Sequence, residues 1–392
     1  MTAYLDHAAT TPLRPDARDA WIAASALVGN ASSVHRAGQS ARRVLEESRE
    51  AVAAALDCEP IEVVFTSGGT ESVNLALKGL WWAHPAGAIV VPDGEHHATT
   101  ATADWLEAAA GAELRRVALE PDGTIPLDRF AAALPGAALA TALVAGNEIG
   151  TIQDAAALAE AAATAGVPLH LDAVGAVGWL DVSFARWRGE AEGPAGLVAL
   201  SVSGHKLGAP TGTGALVLSR HAAIAPLVHG GGQQRGVRSG SPDFAGAAAL
   251  AAAATAAVAE RERTAARVSA LRDRLRDGIL RLVPDAELLG HATRRLPGNL
   301  HVLFPGALGE TLLFLLDTAG IAASTGSACQ AGVAEPSHVV LALGRDERDA
   351  RSVLRFTLGR TSTDADVDAV LAALPEAHRR AVAAGSTTRP RS

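Results

Sequence analysis

LVALSVSGHKLGAPTGTG, Leu197 to Gly214, decides how this 392-residue chain is read. Leu197 to Val202 is a short, largely apolar run, the pattern of a parallel strand buried on both faces. It ends in Ser203, Gly204 and His205, as a strand does where it leaves a sheet, and Lys206 follows at once. The GAPTGTG run from Gly208 is too flexible for a helix, and ALVL from Ala215 restarts a strand. A lysine at a strand end among small residues suits a Schiff base, because burial and crowding favour the neutral, nucleophilic amine. A loop lysine taken alone is ordinarily just solvated, so the company of Lys206 carries the reading.

The same unit recurs four times upstream of Lys206. Glu62 to Phe65 reads as a strand, followed by Thr66-Ser67-Gly68-Gly69-Thr70 and a helix from Glu71. Such a turn leaves backbone N–H groups at a helix N-terminus, where a phosphate is a common occupant. Ala88 to Val91 leads to Glu95-His96-His97-Ala98, and Leu139 to Ala145 leads to Gly146-Asn147-Glu148-Ile149-Gly150. Val167 to Leu171 leads to Asp172-Ala173-Val174-Gly175, with a helical stretch from Asp154 to Ala165 before it. This alternation is that of an open α/β sheet whose site lies at the carboxyl ends of its strands. Taken singly, Asp172 could cap a helix, and the two histidines lack further ligands at metal spacing. Five strand ends carrying a glycine turn, a His, an Asn, an Asp and a Lys are better explained by one shared site.

Outside this region, Tyr4 to Pro15 begins as a strand and stops at Pro12 and Pro15, leaving a polar arm, His7 to Thr11. Gly29 to Gly38 is a loop leading into an amphipathic helix from Gln39 to Leu56, with Leu45, Val52 and Leu56 on one face. A glycine- and arginine-rich loop, His229 to Ser241, precedes an alanine-rich helix from Ala245 to Val283. Its apolar stripe is Val268, Leu271, Leu275, Ile279 and Leu282. The break at Pro284 to Gly298 and strands at Asn299–Leu303 and around Ile321 suggest a smaller α+β domain. The expected division is 13–262 for the large domain, 1–12 with 263–384 for the small one, and a frayed tail at 385–392.

Composition narrows the class. Apolar residues make up 48% and aromatics 4%, so Ala, Leu and Val must fill the core. A net charge of −8 and the lack of a lysine-rich face argue against direct nucleic-acid binding. Cys58 and Cys329 give neither a disulfide framework nor a CxxC pattern. The N-terminus lacks a signal core, and no apolar stretch nears the roughly 20 residues of a membrane span, so a soluble cytoplasmic protein is expected.

These pieces converge on pyridoxal 5'-phosphate, which needs a Schiff-base lysine, a carboxylate at its ring nitrogen, a phosphate cup and a stacking partner. Lys206 and Asp172 can supply the first two; Gly69, Thr70, Ser203 and His205 can form the cup, and His96 can stack. With YLDHAATTP, FTSGGTES, EHHA, NEIG, LDAV, SGHK, GGGQQRGVRSG, SGSAC and RFTLGR in order from Tyr4 to Arg360, the chain resembles cysteine desulfurases of the nitrogen-fixation and iron–sulfur-assembly type. These belong to the class V aminotransferase superfamily. The resemblance implies fold type I of the pyridoxal-phosphate enzymes, with a large, mostly parallel seven-stranded sheet domain and a smaller α+β domain, as a homodimer with shared sites.

It also implies roles. Lys206 holds the cofactor, Asp172 pairs with the ring nitrogen and His96 stacks on the ring. Asn147 lies beside the ring oxygen and substrate carboxylate, and Arg355 clamps that carboxylate. Ser241 stands where the family usually has threonine, reaching the phosphate of the neighbouring subunit. Cys329, in the small-residue segment Ser324 to Gly332, takes sulfur from L-cysteine, leaving L-alanine and a persulfide that passes to an acceptor. That acceptor would be an iron–sulfur scaffold or a thiolation enzyme. The spacing from Cys329 to Glu335-Pro336-Ser337 matches the long-loop branch. One position departs: Gly175 stands where the family has a glutamine that donates to the ring oxygen. Cys58 fits no motif and reads as structural. An aminotransferase or a selenocysteine lyase of the same fold, or a non-catalytic sulfur-transfer scaffold, are the alternatives.

Overall fold

The computed structural model describes residues 3–191, 193–326 and 335–387, the side chains of the last three excepted. Cys329 lies outside the described residues, as does most of the expected tail. The strands of the first half are β1 (Ala3–Tyr4), β2 (Val63–Thr66), β3 (Ala88–Pro92), β4 (Glu113–Val117), β5 (Ala137–Leu143) and β6 (Pro168–Asp172). Those of the second half are β7 (Gly196–Ser203), β8 (Gly214–Leu218), β9 (Glu287–Leu289), β10 (Asn299–Leu303), β11 (Ile321–Ala322) and β12 (Val353–Thr357). Among the described residues, seven of them form one sheet in the order β2-β8-β7-β6-β5-β3-β4.

The expected strands are there, with ends shifted by a residue or two. β8 runs antiparallel to both its neighbours, and the other pairs are parallel. Every residue of β2, β3, β7 and β8 is buried, which is why these segments read as continuous apolar runs without alternation. The edge strand β2 is not left bare: the side-chain amide of Gln234 accepts from the Phe65 N–H (2.6 Å) and donates to the Phe65 carbonyl (2.8 Å). That pairing blunts an edge that would otherwise invite another strand.

Gly214 opens β8 against the glycine turn after β2. A Cβ there would sit 2.5 Å from the Gly68 Cα, so the two backbones can approach only because Gly214 lacks a side chain; Gly68 is a glycine for its φ of +151° instead. The turn itself is the first turn of the helix Gly69–Ala83, which starts two residues earlier than the sequence indicates.

A second cluster of strands lies apart from this sheet: β12-β10-β9 is antiparallel, and β1 pairs in parallel with β11. The 39-residue helix Phe244–Leu282 joins the two regions. Ala247 to Ala257 pack into the core of the large sheet, while Val268, Leu271, Leu275 and Ile279 pack into the core around β10 and β12. Alanine in the first half lets the helix lie close to its neighbours, and leucine in the second half fills a looser space. Leu282, expected in the same stripe, is 41% exposed because the helix ends there and the chain turns away at Val283.

Leu275→Ala should lower the unfolding free energy by about 2–5 kcal/mol, the range for truncating a fully buried leucine. Leu282→Ala should stay within about 0.5 kcal/mol of the parent. Urea unfolding of the two variants checks both, and equal losses would contradict this division of the helix.

Candidate active site

The carboxyl ends of β2, β3, β5, β6 and β7 open into one cavity of about 590 Å³. Gly69, Thr70, His96, Asn147, Asp172, Ser203, His205, Lys206 and Arg355 all line it. The sequence-derived residues therefore meet, with two exceptions. Ser241 is exposed and lines no part of this cavity within its own chain, and Cys329 falls outside the described residues.

Lys206 sits in a single helical turn, Gly204–Leu207, that begins directly after β7. Its Nζ donates to the carbonyls of Ala8 and Ala9, the latter at 2.9 Å. Burial, with the charge of Arg355 second, lowers its pKa from 10.5 to about 8. A lysine so placed has a neutral, nucleophilic fraction of about one-tenth at pH 7, several hundred-fold more than an ordinary lysine. His7 to Thr11, read from sequence as an arm, is thus a wall of the site. Thr10 Oγ1 also lies 3.3 Å from His205 Nδ1.

Asp172 ends β6, buried, with Oδ1 accepting from the Val174 N–H at 2.9 Å. Burial pushes its carboxyl up to about 6, against the pull of the Lys206 charge. A cationic ring nitrogen beside it would hold it ionised. His96 caps the helix His97–Ala110, its Nδ1 accepting from the Ala98 N–H at 3.0 Å. That bond fixes the ring's orientation, and burial with nearby positive charge lowers its pKa to about 4, so the ring is a neutral, flat surface. His170, by contrast, is a core residue: its two nitrogens meet Thr141 Oγ1 (2.9 Å) and Ser201 Oγ (2.8 Å).

Arg355 comes from β12, on the opposite side of the cavity from the large sheet. Its Nη1 donates to the Asn147 carbonyl (2.9 Å) and its Nη2 to Asp6 Oδ1 (3.0 Å). The Asn147 Oδ1 and the Arg355 Nε are buried without a hydrogen-bond partner among the described residues. The orphaned Arg355 Nε–H donor, in a cavity with an amine, a carboxylate and a helix N-terminus, fits a polar ligand with a phosphate and a carboxylate, while the Asn147 Oδ1 acceptor calls for a ligand donor such as an amine or hydroxyl. They fit pyridoxal phosphate and an amino acid. Gly175 lines the cavity, and a Cβ there would meet the Ala145 carbonyl at 3.6 Å, an ordinary contact, so a side chain could begin at this position without a clash.

Several contributors were not read from the sequence. Glu95 is fully buried, with Oε1 accepting from the Leu143 N–H (2.8 Å) and its carbonyl accepting from His338 Nε2 (2.9 Å). Glu148 accepts from Ser337 Oγ at 2.6 Å. Neither acid advertises its burial, because its partners lie far away in sequence. Cys58 packs part-buried against the large core, and burial pushes its thiol up to about 12, which makes it inert at neutral pH. No group of three or more metal-ligating side chains is placed to hold an ion among the described residues.

Burial raises the Glu95 carboxyl from 4.5 to about 8. The unfolded chain releases this proton first, so Glu95 costs stability progressively as pH rises from about 4.5 to about 8. Glu95→Gln keeps the acceptor for Leu143 and removes that cost. Its urea midpoint should gain on the parent's between pH 5 and pH 8; a constant difference would contradict the assignment.

Comparison with known proteins agrees with this geometry. The Aminotransferase class-V family matches residues 3–370. An IscS-like cysteine desulfurase of Mycobacterium tuberculosis is 47% identical over 400 residues, covering 99% of this chain and 100% of that protein. The cysteine desulfurase IscS of Methanosarcina thermophila is 38% identical, covering 95% of this chain and 91% of that protein. The solved structure of a NifS-like protein superposes with a TM-score of 0.87 at 30% identity, covering 96% of this chain and 99% of that one. The chain belongs to the aminotransferase class-V family.

Proposed function

We propose that this protein is a pyridoxal-phosphate-dependent cysteine desulfurase that converts L-cysteine to L-alanine and leaves the sulfur on Cys329 as a persulfide. The observation that carries this reading is the convergence of Lys206, Asp172, His96 and Arg355 on one cavity. The similarity to cysteine desulfurases over nearly the whole chain supports it. Bound there, the cofactor would supply an electron sink for the substrate's carbon skeleton.

The protein's own groups take the remaining tasks. Lys206 attaches the cofactor and moves a proton at the substrate carbon, its lowered pKa keeping the amine available. Asp172 pairs with the ring nitrogen and His96 packs on the ring. The amides of Gly69 and Thr70, in the first turn of their helix, hold the phosphate with Ser203 and His205. Ser241 is exposed on its own chain, which suits a role at the phosphate of the neighbouring subunit in a homodimer. Arg355 and Asn147 bind the substrate carboxylate.

The transfer is balanced without an added oxidant. The Cys329 thiolate attacks the sulfur of the bound cysteine, and the carbon–sulfur bond breaks. Its electron pair stays with carbon, which takes up a proton to become alanine. An acceptor protein, an iron–sulfur scaffold or a thiolation enzyme, then takes the persulfide sulfur. No helix among the described residues is long and apolar enough to cross a membrane, and we place the activity in the cytoplasm. The two cores correspond in this reading to a large domain, 13–262, and a small one formed by 1–12 and 263–384.

Cys329→Ser should still bind L-cysteine, seen as a change in the cofactor's visible band, but form no protein persulfide. Alanine and sulfide release should fall by about a hundredfold or more, as expected when a nucleophile is removed. Release at the parent rate without added thiol would show that Cys329 is not the acceptor.

A further inference from the structure

The segment Leu5 to Ala9 is threaded between the strands that carry the substrate side of the cavity. The Leu5 N–H donates to the Ala322 carbonyl (2.8 Å), the Thr357 N–H to the Leu5 carbonyl (2.7 Å), and the His7 N–H to the Thr357 carbonyl (3.2 Å). The Ala8 N–H is bound by Thr357 Oγ1 at 2.9 Å. At Asp6 the backbone is fixed twice more, its carbonyl accepting from the Ala9 N–H (3.0 Å) and the Tyr4 hydroxyl (3.1 Å). This strap is therefore a rigid mount for the one carboxylate it carries.

That carboxylate meets Arg355. Asp6 Oδ1 lies 3.0 Å from Nη2, and the Arg355 side chain is only 6% exposed. The Asn147 carbonyl takes Nη1 at 2.9 Å from the other side. Each terminal nitrogen of the guanidinium is thus tied to a different part of the fold, while the buried Nε has no partner. A guanidinium has five N–H donors in a rigid plane, so two anchors settle its orientation and still leave donors for a ligand. The Arg355 backbone exchanges two further bonds with Ser324, at 2.6 and 3.1 Å.

We propose that Asp6 is a positioning residue for substrate binding: with the Asn147 carbonyl it pins the Arg355 guanidinium so that Nε and the outer N–H groups meet the carboxylate of an α-amino acid. The proposal rests on the reading of Arg355 as the carboxylate clamp. Asp6 also lines the cavity, but in this role it acts through Arg355, to which its carboxylate is bound. It also serves as counter-ion to a buried cation, whose orientation would otherwise be set by whichever acceptor it found first. Discrimination between amines with and without a carboxylate then depends on an aspartate at the sixth residue of the chain.

The test uses the cofactor-loaded protein with Cys329→Ser as background, so that bound cysteine is not consumed. L-Cysteine and cysteamine, which keeps the amine and thiol but lacks the carboxylate, are titrated against the visible band. Asp6→Asn should raise the apparent Kd for cysteine about tenfold, the low end for a charge-assisted hydrogen bond, and leave cysteamine within about twofold. Asp6→Ser, a smaller residue, should do the same, and covers the case in which the Asn variant does not fold. Equal weakening of both ligands, unchanged cysteine binding, or tighter cysteine binding would overturn the proposal, the last by making Asp6 a competitor of the substrate. Arg355→Lys separates the two layers. If it weakens cysteine alone while the Asp6 variants do not, only the role of Asp6 fails. If it leaves the preference for cysteine over cysteamine intact, the clamp reading fails and the proposal with it.

Discussion

A sheet covered on both faces can expose polar side chains only where its strands end, and this constraint organises the molecule. β2, β3, β7 and β8 are buried along their whole length, so only their ends can offer a side chain to a ligand, as Ser203 does at the end of β7. Asp172, Ser203 and the loops holding His96 and Asn147 emerge together because parallel strands all finish at one edge. The antiparallel β8 enters at that same edge, which is why Gly214 must lie against Gly68. Catalytic geometry here is a consequence of strand direction.

The opposite wall comes from the second core. Arg355 on β12 reaches across to Asn147, and the long helix Phe244–Leu282 fixes the relation of the two cores by packing into both. The strap at residues 5–9 closes the seam. Its carbonyls hold the Lys206 amine, its carboxylate holds the Arg355 guanidinium, and its backbone pairs with strands on either side. Cofactor-side and substrate-side groups are thereby referenced to one short stretch of main chain.

Much of this was legible in the sequence, for a physical reason. Strand-then-polar-turn units are local, and so the placement of Lys206, Asp172, His96, Asn147 and Gly69 could be read from a few neighbouring residues each. What escaped was non-local or written in the backbone. The Lys206 amine is bound by peptide carbonyls 197 and 198 residues away, which no side-chain pattern records. Asp6 and Arg355 are 349 residues apart, and Glu148 and Ser337 are 189 apart. Glu95 reads as an ordinary surface acid until β5 is laid beside it. Leu282 was misplaced because helical periodicity continues past the point where the packing partner stops.

Lys206 is the centre of the account, and its reactivity is the most direct measure of it. The structure places its amine at a pKa of about 8 rather than 10.5, chiefly through burial. Protein stripped of cofactor and mixed with pyridoxal phosphate over a range of pH reports the neutral amine through the growth of the visible band. The rate should rise about tenfold per pH unit below that value and level off above it, with hydride trapping marking Lys206 alone. A rate that kept climbing to pH 10, or a trapped adduct on another lysine, would contradict the account.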